Sequence, residues 1–201
     1  MKWIDRLNEA GQAWRHRWFK PLYKVLTALG VTPNQLTGLR FLAGPAFWLY
    51  FPVYPRKMTL VLLIAGALDF IDGGLARYQG VDSDRGKFWD ILVDHLNYVF
   101  AILALISTQA FSAGLLSYHL LIAPVFFLLA TIKESEGKKT DWLIHPYYSA
   151  VYYKPLAICS LLVYVTWGIN TIHETALILN IAMTVQSLYY VAVLLNRWKG
   201  R

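Results

Sequence analysis

Charge is what this sequence has least of. Of its 201 residues only 15% are charged and only 12 are acidic, while 57% are hydrophobic and the mean hydropathy is +0.41. A water-soluble domain needs a polar surface that this composition does not supply, so the expectation is a membrane protein. Cysteine is nearly absent as well. Cys159 stands alone, which excludes an intrachain disulfide and leaves the redox compartment unread; it falls in an apolar run and is expected to be an inert core thiol. Repeats, low-complexity tracts and linkers are missing, so residues 32–201 read as one domain. The first thirty residues have neither the apolar core nor the cleavage site of a signal peptide.

What is present is long apolar runs. A bilayer core takes about 20 apolar residues per spanning helix. Six such helices fit, near Leu36 to Val53, Met58 to Arg77, Gly86 to Thr108, Leu115 to Glu134, Ala150 to Gly168 and Thr175 to Asn196. The fold class expected is an all-α integral membrane protein of six transmembrane helices, preceded by an amphipathic interfacial helix over residues 1–31. In that first segment Trp3, Leu7, Trp14, Trp18, Leu22, Val25 and Leu29 recur every three or four positions, with Arg6, Arg17, Lys20 and Lys24 opposite. Tryptophan suits the headgroup level and the cations suit anionic lipid; a helix packed on a cytosolic domain is the alternative, but too few residues remain to build one. Gly30 and Pro33 end that helix, and Thr32 or Asn34 can cap the next.

The formal charge of +7 raises the question of nucleic acid, anionic lipid or an anionic substrate. Distribution answers it. The early cations, Lys138 and Lys139, and Arg197, Lys199 and Arg201 all fall on one expected side of the membrane. By the positive-inside rule that side is cytoplasmic, with both termini inside and no nucleic-acid partner; Arg56 and Lys57 run against the rule. The absence of a transit segment points to a prokaryotic cytoplasmic membrane.

Against this scarcity of acid, Asp69, Asp72, Asp90 and Asp94 sit in or at the ends of apolar runs. A carboxylate at membrane depth costs about 3 kcal/mol or more, so such residues face a cavity and bind something. Asp69 and Asp72 are three apart, followed by Gly73, Ala76 and Arg77 on one broad face; Gly86, Asp90 and Asp94 recur every fourth residue in a single line. The short connection between the two helices makes them antiparallel neighbours, so the two faces can meet. Four converging carboxylates need cations to stay ionised. Hard oxygen ligands select magnesium, manganese or calcium over zinc, and suit a pair of ions about 4 Å apart, as in phosphoryl transfer. Gly73, Ala76 and Gly86 leave a smooth groove beside them, although glycines of this kind also serve plain helix packing.

Read as a signature, Asp69-x2-Asp72-Gly73-x2-Ala76-Arg77-x8-Gly86-x3-Asp90-x3-Asp94 resembles the hallmark motif of the CDP-alcohol phosphatidyltransferase family at every fixed position. Thr32-Pro33-Asn34-Gln35-Leu36-Thr37 also resembles the family's entry to its first spanning helix. The resemblance implies transfer of a phosphatidyl group from CDP-diacylglycerol, or a similar CDP-alcohol, to a small polar alcohol with release of CMP. It implies two Mg2+ or Mn2+ ions on Asp69, Asp72, Asp90 and Asp94, with Asp94 also the catalytic base. It further implies a donor site on Gly73, Ala76, Arg77, Gly86, Asn34 and Thr37, and a homodimer. His95 departs from the common pattern and is read as a helix-surface histidine; His16, His119, His145 and His173 are read as interfacial or packing residues.

The acceptor depends on residues outside the signature. A phosphorylated acceptor needs extra cations, for which Arg40, Lys133 and Lys154 are candidates, although cations at span ends also snorkel to headgroups. Glycerol 3-phosphate comes first, then inositol phosphate or serine. The alternative of another class is an intramembrane cation or proton transporter, since ion pathways also use intramembrane aspartates; Arg77 and the glycines argue against it, as does the position of the carboxylates toward one end of their spans.

Overall fold

The structure is a computed structural model that describes residues 17–135 and 146–199. The described residues are all helical or connecting, without strands, and they divide into two compact units, residues 1–104 and 105–201. The first holds α1 (residues 17–28), α2 (Pro33–Tyr50), α3 (Pro55–Gln79) and most of α4 (Asp84–Ser107); the second holds α5 (Ala113–Ser135), α6 (Pro146–Trp167) and α7 (Ile172–Lys199). Helices α2 to α7 coincide with the six expected apolar runs to within a few residues. Among the described residues, three stretches are long and apolar enough to cross a membrane: Pro55–Gln79, Phe88–Ser107 and Ile172–Asn196. Ala113–Leu129 and Pro155–Trp167 are shorter apolar helices.

Local chemistry sets the helix ends in the first unit. Thr32 caps α2 in a capping box: its hydroxyl accepts from the Gln35 amide at 3.3 Å, and the Gln35 side chain accepts from the Thr32 amide at 2.9 Å. Pro33 follows at the first helical position, where its missing N–H costs nothing. Helix α3 stops at Gly80, whose φ of 68° lets the chain turn left-handed; the Val81 amide donates to the Ala76 carbonyl at 3.0 Å. Helix α4 starts at Asp84, after a short connection.

Helix α1 is docked by the face carrying Phe19, Tyr23 and Leu26. Tyr23 is 1% exposed and packs with Leu36 of α2 and Leu75 of α3. A Cβ at Gly74 would run into the Tyr23 hydroxyl, so glycine is what allows this close approach. Gln79 ties the same end down, donating to the Thr27 hydroxyl at 3.1 Å and the Val31 carbonyl at 2.9 Å. Trp18, Leu22, Val25 and Leu29, grouped by the sequence on one apolar face, do share an outward face: Trp18 is 68% exposed and Leu29 72%. The apolar residues that meet the protein lie on a different face. Trp3, Leu7 and Trp14 lie outside the described residues.

In the second unit α7 packs on α5 and α6 through Leu179, Met183, Tyr190 and Leu194, and Tyr190 stacks on Phe126 of α5 at 5.8 Å between ring centroids. Among its described residues the buried polar side chains are His119, Ser160, Asn180 and Ser187. His119 Nδ1 lies 2.6 Å from Asn180 Oδ1, and Asn180 Nδ2 donates to the Leu115 carbonyl at 3.0 Å. Cys159 of α6, expected in the core, is exposed on the helix surface instead: the apolar run around it faces outward as well as inward, as a lipid-facing helix can.

Candidate active site

Three helices of the first unit supply the site. In α2, Thr37 and Arg40 are three residues apart and share a face; α3 brings Asp69 and Asp72, and α4 brings Asp90 and Asp94. Oxygen atoms of Asp69, Asp72 and Asp90 lie within 4.8 Å of one another. Asp72 is the buried member, 3% exposed, while Asp69, Asp90 and Asp94 are partly open. Helical spacing explains the convergence: i, i+3 on α3 and i, i+4 on α4 each turn both carboxylates to one side.

Arg40 sits at the centre. Its guanidinium reaches Asp72 Oδ2 at 2.6 Å and Asp90 Oδ1 at 2.5 Å through Nη1, Asp69 Oδ1 at 2.5 Å through Nη2, and also pairs with Asp94 through Nη2. The residue is 1% exposed. The sequence placed Arg40 among the cations for an acceptor; the structure places it among the four carboxylates. The signal was available, because Arg40 is the one charged residue in α2, and an intramembrane arginine needs carboxylate partners as much as they need it.

Supporting contacts hold this geometry. Thr37 donates to Asp72 Oδ2 at 3.1 Å and to the Pro33 carbonyl at 3.2 Å, and the Gly73 amide donates to Asp72 Oδ1 at 2.6 Å. Thr37, read from the sequence as a donor-site residue, thus touches an aspartate. Asn97 of α4 donates to the Arg40 carbonyl at 3.0 Å, and Gly44 of α2 lets it approach, since a Cβ there would run into the Asn97 amide oxygen. Neither Asn97 nor Gly44 was singled out by the sequence.

The groove residues stand beside the carboxylates. A Cβ on Gly73 would meet only the Arg77 guanidinium, at 3.7 Å, and one on Gly86 only the Ser83 hydroxyl, at 3.3 Å. Ala76 is partly buried, Arg77 is exposed, and Asn34 is exposed in the first turn of α2. Lys133 and Lys154 belong to α5 and α6 of the second unit, and their side chains lie outside the described residues. His95 is exposed and its Nδ1 lies 2.8 Å from the Ile91 carbonyl of its own helix.

The donor set fits a divalent cation. Four carboxylates and one guanidinium carry a formal charge of −3, and three of the carboxylates already present oxygens to one small volume. All are hard oxygen donors of the kind magnesium and manganese take.

Fold and site together define a helical protein with three helices long and apolar enough to cross a membrane and a carboxylate cluster that could hold a metal ion. The chain belongs to the CDP-alcohol phosphatidyltransferase family, whose model matches residues 30–197. The family is one of CDP-alcohol phosphatidyltransferases. The archaetidylinositol phosphate synthase of Pyrococcus horikoshii is 40% identical over 75 residues, which is 37% of this chain and 40% of that protein. The match thus spans less than half of that relative's length. A crystal structure of Mycobacterium tuberculosis phosphatidylinositol phosphate synthase (PgsA1) in apo form shares the fold, with a TM-score of 0.60 at 19% identity, over 89% of this chain and 93% of that one.

Proposed function

We propose that this enzyme transfers a phosphatidyl-type group from a CDP-linked lipid to inositol phosphate, releasing CMP. The convergence of Asp69, Asp72 and Asp90 with Asp94 around one point carries the reaction class. The name of the Pyrococcus relative favours inositol phosphate over glycerol 3-phosphate, reversing the order in which the sequence alone ranks them. Family membership sets aside the transporter reading.

Asp69, Asp72, Asp90 and Asp94 would hold the metal, two Mg2+ or Mn2+ ions by the family resemblance. Bound there, such ions would supply positive charge toward the diphosphate and the departing CMP. The remaining work falls to side chains. Asp94, partly open, accepts the proton of the acceptor hydroxyl as its oxygen bonds to the lipid-bearing phosphorus and the phosphorus–oxygen bond to CMP breaks. Thr37 and the Gly73 amide fix the orientation of Asp72. Gly73, Ala76 and Gly86 give the nucleotide a path along the backbone, with Asn34 at the entry of α2. Arg77, exposed at the end of α3, offers a planar cation to donor phosphate or base. The phosphate of the acceptor calls for further cations, for which Lys133 and Lys154 are the candidates.

Six spanning helices, α2 to α7, with α1 in the membrane interface complete the proposal. The outward stripe of Trp18, Leu22, Val25 and Leu29, beside Arg17, Lys20 and Lys24, supports the interfacial placing of α1. The termini and the site would lie on the cytoplasmic side of a prokaryotic membrane, a sidedness that the basic segments support by the positive-inside rule, and the resemblance implies a homodimer.

Purified protein in detergent, given Mg2+ and either CDP-diacylglycerol or its diether counterpart, tests this reading. Inositol phosphate is expected to release CMP at least about tenfold faster than glycerol 3-phosphate, inositol or serine; a faster reaction with glycerol 3-phosphate would overturn the acceptor assignment and leave the reaction class standing.

A further inference from the structure

Arg40 has no part in the reaction steps above, yet it is the most completely buried charged side chain described. Its two terminal nitrogens are shared among four carboxylates from two helices, Nη1 with Asp72 and Asp90, Nη2 with Asp69 and Asp94. Each nitrogen therefore bridges α3 to α4. The backbone of the same residue is held too, through Asn97 of α4 on its carbonyl. Without a cation, four carboxylates in this volume would repel one another and part.

The carboxylates that would take a divalent ion, Asp69, Asp72 and Asp90, are also those that Arg40 holds. An ion entering the site meets a positive charge already in contact with its ligands.

We propose that Arg40 is a positioning residue that keeps the four aspartates converged when the metal is absent and competes with the metal for them, so that it sets the ion affinity of the site. The proposal rests on the metal reading of the aspartates given above. Two consequences follow. The ion-free protein depends on Arg40 for its fold in the first unit, and removing Arg40 tightens ion binding, because a charge repelling the ion at contact range is gone.

The test is thermal unfolding of the purified full-length protein in detergent, in EDTA and across a MgCl2 or MnCl2 titration, for wild type, Arg40→Met and Arg40→Lys. In EDTA, Arg40→Met is expected to unfold at a clearly lower temperature than wild type, with Arg40→Lys between them. Added ion should raise the melting temperature of Arg40→Met more than that of wild type. The half-saturating concentration should fall roughly tenfold or more in the Met variant. A residue that merely glued the helices would lower stability in EDTA without tightening ion binding, and that result, or an Arg40→Met protein as stable as wild type in EDTA, would overturn the proposal. Should Arg40→Met fail to fold in EDTA, expression and purification in Mg2+ is expected to rescue it; failure in both media contradicts the idea that the ion can take over. Should neither ion shift wild type or variant, the metal reading itself falls, and the competition with it.

Discussion

The two units of this chain differ in whether they bury charge: the first does, and the described part of the second buries uncharged polar groups. The second, α5 to α7, buries His119, Ser160, Asn180 and Ser187; His119 and Asn180 are joined to each other and to the Leu115 carbonyl, and the Ser160 hydroxyl meets that of Thr171. The first encloses Arg40 and Asp72, with three more carboxylates at their edge. Neutral hydrogen bonds between spanning helices are worth about 0.6 kcal/mol each and specify how helices pack. If the first unit spans a membrane as proposed, a net charge of −3 there is a standing cost that packing alone does not justify. On the proposed reading, the difference separates a part that holds its shape from a part that takes a cationic ligand.

The contrast can be broken most forcefully at Asp94. Asp94→Asn keeps the size of the side chain and removes its basicity, and CMP release is expected to fall about 10²- to 10⁴-fold while the protein still folds. A loss under tenfold would place the base elsewhere.

A smaller effect distinguishes two adjacent glycines. Gly74→Ala drives a methyl into Tyr23 and should destabilise the protein by about 1–3 kcal/mol, loosening α1, as measured by thermal unfolding and by proteolysis in the segment 17–31. Gly73→Ala meets only the tip of Arg77, so it should melt near wild type and raise the KM for the CDP-linked donor. Equal effects of the two on stability would mean that Gly73 is a packing residue as well.

The smallest change is expected in the second unit. His119→Leu breaks the bond to Asn180 and should cost about 1–2 kcal/mol of stability, with kcat within a few-fold of wild type at a temperature where both are folded. A loss of activity as large as that of Asp94→Asn would end the division of labour.

Much of this was legible in the sequence because the signals are local. Apolar runs of bilayer length gave the six helices, and Thr32, Pro33 and Gly80 act at helix ends through neighbours a few residues away. The aspartates stood out because carboxylates are costly in such runs. What escaped depends on contacts between residues far apart in the chain. Arg40 and Asp94 are 54 residues apart, and nothing in the spacing said that the guanidinium would meet all four carboxylates. Helix α1 has two apolar faces, and the periodicity of Trp18, Leu22, Val25 and Leu29 could not reveal that Tyr23 is the one that docks. Gly73 and Gly74 differ by one step around α3, yet only Gly74 meets a neighbouring side chain closely.

The central claim is that the aspartate cluster of the first unit is where a divalent ion enables the transfer. The most direct measurement is CMP release by the purified enzyme from a CDP-linked lipid and inositol phosphate, followed through chelation with EDTA and restoration of Mg2+, beside Asp69→Asn and Asp90→Asn. The account predicts activity that EDTA abolishes and Mg2+ restores, with both variants needing far more Mg2+ to reach any rate. Release that persists in EDTA, or variants with the Mg2+ dependence of wild type, would contradict it.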